Sequence, residues 1–383
     1  MLSFVYATAL LPYLISQIWF AEKERKRNSN LTSDSRASVL VLLPFFNEER
    51  DRLFECIQSI LAQDYQGPIH LSIADDGSDT TALFNEVLQT CEGPNVTVTK
   101  TTYNHGKRSA QGLAWRSSAF QDADYILTVD SDSILASDCI SKLVAKIETD
   151  PDIAGVSAAI GTVETSHWLG KLLKIRYWTA NMQERASQSW FGQVLCASGP
   201  CTLWRTTFLK DNWEEYQTQT FLGKPCTYGD DRHLTNLALR DHWDVCIAHE
   251  AVCTTHTPES LSKWLLQQER WSKSHYRETW WLLANQVRLN PLVAYQMAVQ
   301  LALPLLLLVG LISLSFHPSA YAALTYTATV ALAAFARGGY AYYVTRDPFF
   351  WLSPVYGALH IALVLPIRLA SVFTLWKNDW GTR

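Results

Sequence analysis

Residues 125–132, Tyr-Ile-Leu-Thr-Val-Asp-Ser-Asp, decide the fold: five uncharged residues, three of them β-branched, run directly into Asp130-Ser131-Asp132. An apolar run this short and continuous suits a strand buried on both faces, and it delivers two carboxylates to one edge of a sheet. The same form occurs upstream. Residues 69–74 lead into Asp75-Asp76-Gly77-Ser78, and residues 38–43, mostly Val and Leu, end at Pro44. Between these runs, Leu53, Phe54, Ile57, Ile60 and Leu61 recur at helical spacing. Strands alternating with helices, with carboxylates at strand C-termini, predict a doubly wound α/β domain whose ligand lies along that edge.

The flanks read differently. Of 383 residues, 48% are hydrophobic and 18% charged, with 32 basic side chains against 36 acidic ones and a formal charge of −4. That balance excludes a disordered chain and speaks against a nucleic-acid partner. A mean hydropathy close to zero is high for a wholly soluble enzyme and points to an average over unlike parts. Residues 2–20 carry no charge and have about the length needed to cross ~30 Å of hydrocarbon. Lys23, Arg25, Lys26 and Arg27 follow with no small-x-small cleavage site before them, so the segment reads as a retained anchor with the next segment cytosolic.

Residues 291–316 and 320–336 also lack charge and read as two spanning helices. A third apolar stretch, 348–365, contains Pro354 and is followed by Pro366, which favours a bent, incomplete crossing. The chain thus divides into an anchor with its basic flank (1–28), a cytosolic α/β domain (36–255), an interfacial helix region (256–288) and a C-terminal membrane region (289–383). Residues 168–178 and 262–281 mix Trp and Leu with Lys and Arg, as helices at a lipid surface do. Eight cysteines without a CxxC pair read as reduced thiols, and ten histidines show no metal-binding pattern.

Three constellations carry chemistry. Two carboxylates leaving one buried strand repel each other unless a cation joins them, so Asp130 and Asp132 suit Mg2+ or Mn2+ holding a diphosphate. Asp230 and Asp231 form a second acidic pair in Gly-Asp-Asp-Arg. Gln267, Arg270 and Trp271, at i, i+3 and i+4, place an amide, a guanidinium and an indole on one helical face. The order LLPFFNEE, DDGS, GKRSA, DSDS, SGP, GDDRHLTN, QQERW and a closing WGTR resembles the processive, membrane-integrated family-two glycosyltransferases, most closely the hyaluronan synthases. Chitin-oligosaccharide synthases of rhizobia share most of it.

The resemblance implies a GT-A-like α/β glycosyltransferase domain beside transmembrane helices, a plasma-membrane location, UDP-sugar substrates and a growing polysaccharide passed out through the lipid bilayer. It implies that Asp75, Asp76 and Lys107 surround the uridine end, and that Asp132, supported by Asp130, holds the metal. Asp231 would be the general base of an inverting displacement, with Asp230 beside it. Ser198 and Cys201 would line the acceptor wall, and Trp271 would stack on a sugar. Gln267, Arg270, Trp380 and Arg383 would complete the grip on the diphosphate and sugar. A polymer of UDP-N-acetylglucosamine alone is the alternative to hyaluronan, and a transporter or receptor with a degenerate nucleotide-sensing domain is the rival from another class.

Overall fold

A computed structural model describes residues 2–377. Helix α1 (Leu2–Arg27) is followed by β1 (Val39–Phe45), α2 (Arg50–Leu61), β2 (Ile69–Asp75), α3 (Ala82–Cys91), β3 (Val96–Lys100), α4 (Lys107–Ser117) and β4 (Tyr125–Val129). Next come β5 (Ser133–Leu135), α5 (Cys139–Ile147), β6 (Ile153–Thr162), α6 (Trp168–Thr179), the short α7 (Ala186–Ser189), β7 (Cys201–Arg205) and α8 (Thr206–Gln217). The two-residue strands β8 (Thr220–Phe221) and β9 (Lys224–Pro225) precede α9 (Asp230–Arg240) and β10 (Asp244–Thr255). Helices α10 (Leu261–Ala284), α11 (Pro291–Phe316) and α12 (Ala320–Thr345) lead to a composite helical stretch, Pro348–Thr374, that contains α13 (Ser353–Leu359) and α14 (Leu365–Ser371).

Eight strands form one sheet in the order β3-β2-β1-β4-β7-β6-β10-β5. Strand β1 pairs in parallel with β2 and β4, so Asp75-Asp76 and Asp130-Ser131-Asp132 emerge at the same edge. Strand β7 runs antiparallel to both β4 and β6, which makes the sheet mixed where a doubly wound reading implies parallel strands throughout. The cause is local. The chain re-enters the sheet at the carboxylate edge itself, where Asp130 N donates to Pro200 O at 3.2 Å and Cys201 pairs with Val129.

Parity along β1 divides the core. Val39, Val41 and Leu43 pack with Leu53, Ile57 and Ile60 of α2 and with Ile140 and Leu143 of α5. Leu40 and Leu42 face the other way, toward Ala110 and Ala114 of α4, Phe208 of α8 and Leu237 of α9. All of these are buried. Each aliphatic side chain so enclosed contributes about 1.5–3 kcal/mol relative to exposure.

Among the described residues, three helical stretches are long and apolar enough to cross a bilayer: Ser3–Arg27, Pro291–Phe316 and Pro348–Thr374. The last has the length and composition of a full span rather than the incomplete crossing expected from its prolines. Its prolines sit inside the stretch where the regular ladder is already interrupted, Pro354 just after the 3-10 turn Pro348–Leu352 and Pro366 just after the π-helical turn His360–Val364. Helix α12, expected to span, is not among the three: Tyr321, Thr325, Tyr326, Thr327 and Thr329 dilute its apolar run and Arg337 closes it after 17 residues. It nonetheless lies along α1, with the Tyr6 and Tyr326 rings 5.4 Å apart.

The C-terminal end of α1 is part of the α/β domain's packing. Glu24 is fully buried, accepts from Ser189 Oγ at 2.6 Å and pairs with Lys146 at 3.2 Å. Helix α6, expected at a lipid surface, buries one side, where Leu169, Leu172, Leu173 and Ile175 pack with Trp264, Phe350, Tyr356 and Val364, and leaves Trp168, Lys171 and Lys174 exposed. It forms the joint between sheet and membrane helices. Helix α10 covers α9 with one face and exposes Leu266, Trp280 and Leu283 on another.

Candidate active site

The edge where β1, β2 and β4 end opens into a cavity of about 1430 Å3. One end is walled by Asp76, Asp130, Asp132 and Asp231, and the other by Tyr13 of α1, Leu307 of α11 and Val364 of the composite stretch. The cavity therefore runs without a break from the acidic sheet edge into the membrane helices.

Local chemistry explains how each acid arrives there. Asp75 closes β2 and turns away from the cavity: it is fully buried, accepts from Ser78 N at 2.8 Å and Ser78 Oγ at 2.6 Å, and pairs with Lys100 at 2.9 Å. It shapes the turn, and its side chain does not line the cavity. Asp76 does face the cavity, accepting from His105 N at 3.0 Å and Gly106 N at 2.8 Å, and burial raises its carboxyl above the ordinary value. Ser131, between the two strand-end acids, donates to Glu48 Oε2 at 2.6 Å and so ties that loop to the end of β1.

Asp230 and Asp231 occupy the first turn of α9, where the helix dipole favours negative charge. Gly229 caps that helix with φ +84°, and a Cβ there would collide with Ser274 of α10. Glycine thus lets the acidic turn approach α10. Lys107, at the start of α4, bridges Asp130 at 2.6 Å and Asp230 at 2.8 Å, so it sits among the acids of the cavity wall. Gly199 lies in the same cluster: a Cβ there would stand 3.4 Å from Asp130 Oδ2, 3.6 Å from Lys107 Nζ and 3.7 Å from Asp231 Cβ.

These contacts separate the two acids of α9 electrically. Burial alone would lower the Lys107 ammonium, yet Asp130 and Asp230 hold it well above its ordinary value. Burial would raise Asp230, but Lys107 and Arg108 hold that carboxyl below the ordinary range. Asp231 goes the other way, pushed up first by burial and then by the charge of Asp230. Its Oδ1 accepts from Arg232 N at 2.7 Å, and the Cys196 thiol lies 3.6 Å from its Oδ2. One acid is locked as an ion and its neighbour is a proton acceptor of increased basicity.

Ser198, Gln267, Arg270 and Trp271 also line the cavity, and the indole of Trp271 meets Tyr177 edge-on at 6.2 Å. Cys201 does not. It is the first residue of β7, fully buried beside Cys139 and Cys253, whose contacts push its thiol well above the ordinary value. The wall cysteine is Cys196, one strand-entry loop earlier. Trp380 and Arg383 lie outside the described residues. Sequence reasoning also misses Arg185, whose Nε donates to Cys196 O at 2.8 Å beside the acids, and Arg176 and Glu184 on the membrane-ward wall. The available signal is the run of basic residues in 168–178, which by pattern alone reads as lipid-facing.

Among the described residues, no three His, Cys, Asp or Glu side chains gather as for a closed metal site. Asp130 and Asp132 nevertheless fit an open one. Both line the cavity, both offer hard oxygen donors, and Mg2+ or Mn2+ takes one or two carboxylates while leaving positions for phosphate oxygens.

A family model described as "Glycosyltransferase like family 2" matches residues 36–274, more than half of the chain. The chain belongs to glycosyltransferase family 2. This glycosyltransferase is 34% identical over 349 residues to an N-acetylglucosaminyltransferase of Azorhizobium caulinodans, covering 90% of this chain and 87% of the relative. It is 32% identical over 392 positions to a hyaluronan synthase of Streptococcus pyogenes, covering 99% and 90%. Among solved structures it resembles a mannosyltransferase from Pyrobaculum calidifontis in complex with GDP-Man and Mn2+, with a TM-score of 0.62 at 17% identity over 94% of this chain and 99% of that one. That likeness supports the GT-A-like fold of the glycosyltransferase.

Proposed function

We propose that this family-2 glycosyltransferase is a processive, multi-pass synthase of the plasma membrane that builds hyaluronan from UDP-glucuronate and UDP-N-acetylglucosamine and passes it outward as it grows. The observation that carries the reading is the single cavity reaching from Asp76, Asp132 and Asp231 to Tyr13, Leu307 and Val364. An enzyme that released its product to the cytosol would have no use for the membrane-ward half. Arg176, Arg337 and Arg368 stand on that half of the wall, with Glu184 2.9 Å from Arg176 and 3.6 Å from Arg337. This excess of guanidinium suits a polymer that carries carboxylates.

In this mechanism Asp76 and its neighbouring backbone orient the nucleoside, and Arg270 and Gln267 grip the diphosphate. Mg2+ or Mn2+ on Asp132 and Asp130 would supply charge neutralisation for the leaving diphosphate; the named relative with GDP-Man carries Mn2+. Trp271 stacks on the terminal acceptor sugar beside Ser198. Asp231 takes the proton of the acceptor hydroxyl as its oxygen attacks the anomeric carbon and UDP departs from the opposite face, which inverts that centre. Asp230, held as an anion by Lys107, keeps Asp231 basic.

The rhizobial relatives named N-acetylglucosaminyltransferase favour a second reading, a chitin-type chain made from UDP-N-acetylglucosamine alone. Purified protein in lipid nanodiscs, supplied with each labelled donor singly and then with both, separates the two. High-molecular-weight product only with both donors, degraded by a hyaluronan-specific lyase, is expected. Polymer from UDP-N-acetylglucosamine alone establishes the second reading instead.

A further inference from the structure

A buried polar chain crosses behind the acidic cluster. Arg108, next to Lys107 on α4, donates from Nη2 to Gln219 Oε1 at 2.5 Å and from Nη1 to Tyr216 O at 2.8 Å. Gln219 Nε2 donates to Glu278 Oε1 of α10 at 2.5 Å. The other oxygen of Glu278 accepts from Asn236 Nδ2 of α9 at 2.9 Å and faces His233 Nδ1 at 3.1 Å. Asn236 also donates to the Glu278 backbone carbonyl at 3.1 Å. Arg108, Gln219, His233, Asn236 and Glu278 are all more than nine-tenths buried, Glu278 being 2% exposed.

The direction of every bond in this chain is fixed by chemistry. A guanidinium has only donors, so the Gln219 amide must present its oxygen to Arg108 and its NH2 to residue 278. Position 278 must then accept there, and it must accept again from Asn236. Only a carboxylate accepts on both sides. The three helices joined in this way bear the proposed working residues: Lys107 on α4, Asp231 on α9, and Gln267, Arg270 and Trp271 on α10.

We infer that Glu278 is a positioning residue. It sets the distance between the proposed base on α9 and the diphosphate- and sugar-gripping face of α10. Small displacements of reacting groups cost rate rather than affinity, on the order of 10²-fold for about 1 Å. This inference rests on the reading of Asp231 as base, which Asp231→Asn tests separately.

The experiment measures UDP release by the full-length protein in nanodiscs for Glu278→Gln and for the reciprocal swap Gln219→Glu with Glu278→Gln. In the single variant an NH2 group must face a donor on one side. The expected result is a kcat lowered roughly 10²-fold with donor KM within about twofold of the parent. In the swap, the carboxylate introduced at position 219 accepts from both Arg108 and the amide introduced at position 278. The oxygen of that amide accepts from Asn236, so kcat should recover. A parental kcat in the single variant, a change confined to KM, or a folded swap that stays slow each overturns the inference. If the single variant does not fold, the swap decides alone: it must fold and turn over, and failure at either step overturns the assignment. An active Asp231→Asn protein would sink the base reading, whereas a dead Asp231→Asn with a silent Glu278→Gln sinks only the positioning role.

Discussion

Two Asp-Asp steps border the same cavity, and the fold uses them in opposite orders. At the end of β2 the first acid, Asp75, is consumed by Lys100 and Ser78, while the second, Asp76, reaches the cavity. At the start of α9 both acids reach the cavity, but the first is bound to Lys107 and only the second has a raised carboxyl. A strand end and a helix start present consecutive side chains differently. Successive strand residues point to opposite faces, so one of the pair must turn inward, whereas adjacent helix residues are about 100° apart and can share an opening. Identical dipeptides therefore give one cavity-facing carboxyl in the first case and an anchored ion beside a carboxyl of raised basicity in the second.

The sharpest way to break this comparison is at Asp231. Asp231→Asn is expected to lower kcat by about 10²–10⁴-fold, the usual contribution of a positioned base, while UDP-sugar binding measured by calorimetry stays near the parental value. Lost binding with intact turnover of what binds would move Asp231 from proton acceptor to donor-sugar contact. The pair at β2 should divide along another line. Asp75→Asn leaves Lys100 without its anion in a buried turn and should cost about 1–3 kcal/mol in chemical unfolding, with activity per folded molecule retained. Asp76→Asn should leave unfolding unchanged and raise donor KM by roughly tenfold, about 1.4 kcal/mol. If Asp75→Asn weakened donor binding more than Asp76→Asn did, the inward placement of Asp75 would be wrong.

Much of this is legible in the sequence, and what is not has physical causes. Residues 39–43 and 125–129 are apolar because both faces of their strands are covered, so their burial and the acids at their ends can be read directly. The reversal of β7 cannot, since an antiparallel strand buried on both faces looks like a parallel one. Cys201 is misplaced by sequence reasoning for a related reason: where a loop becomes a strand decides which face a residue takes, and the loop 196–200 gives no periodicity to count. The wall position of Cys196 therefore has no signal. Lys107 as a bridge between Asp130 and Asp230 joins residues 100 positions apart, which spacing does not report. The basic residues of 168–178 suggest lipid. In the fold Arg176 faces the cavity because the apolar side of α6 is taken up by Trp264, Phe350 and Tyr356.

Labelling sharpens the contrast between the two cysteines and so between loop and strand. Cys196 lines the cavity, and burial together with the neighbouring Asp231 raises its thiol, so it should react slowly with a small maleimide and be protected by UDP-sugar. Cys201, enclosed in the sheet, should not react until the protein unfolds. Mass-spectrometric mapping of the modified peptide reads this directly, and modification of Cys201 in the native protein would put β7 out of register.

The smallest expected effect concerns the charge that separates Asp230 from Asp231. A general base works in its ionised form, so turnover is present above the folded pKa of Asp231 and is lost as pH falls through it. That pKa is raised by burial and by Asp230, which places the acid limb of kcat/KM above where an ordinary aspartate would put it. Asp230→Asn removes the adjacent negative charge and releases Lys107 from one of its two partners, and both changes favour the Asp231 carboxylate. The limb should then move to lower pH, with reduced but measurable turnover at its plateau. A limb that stays in place means that burial alone sets the basicity of Asp231. A limb that moves to higher pH means that Asp230 was stabilising the ionised form through Lys107, and the division of labour within the α9 pair would have to be reversed.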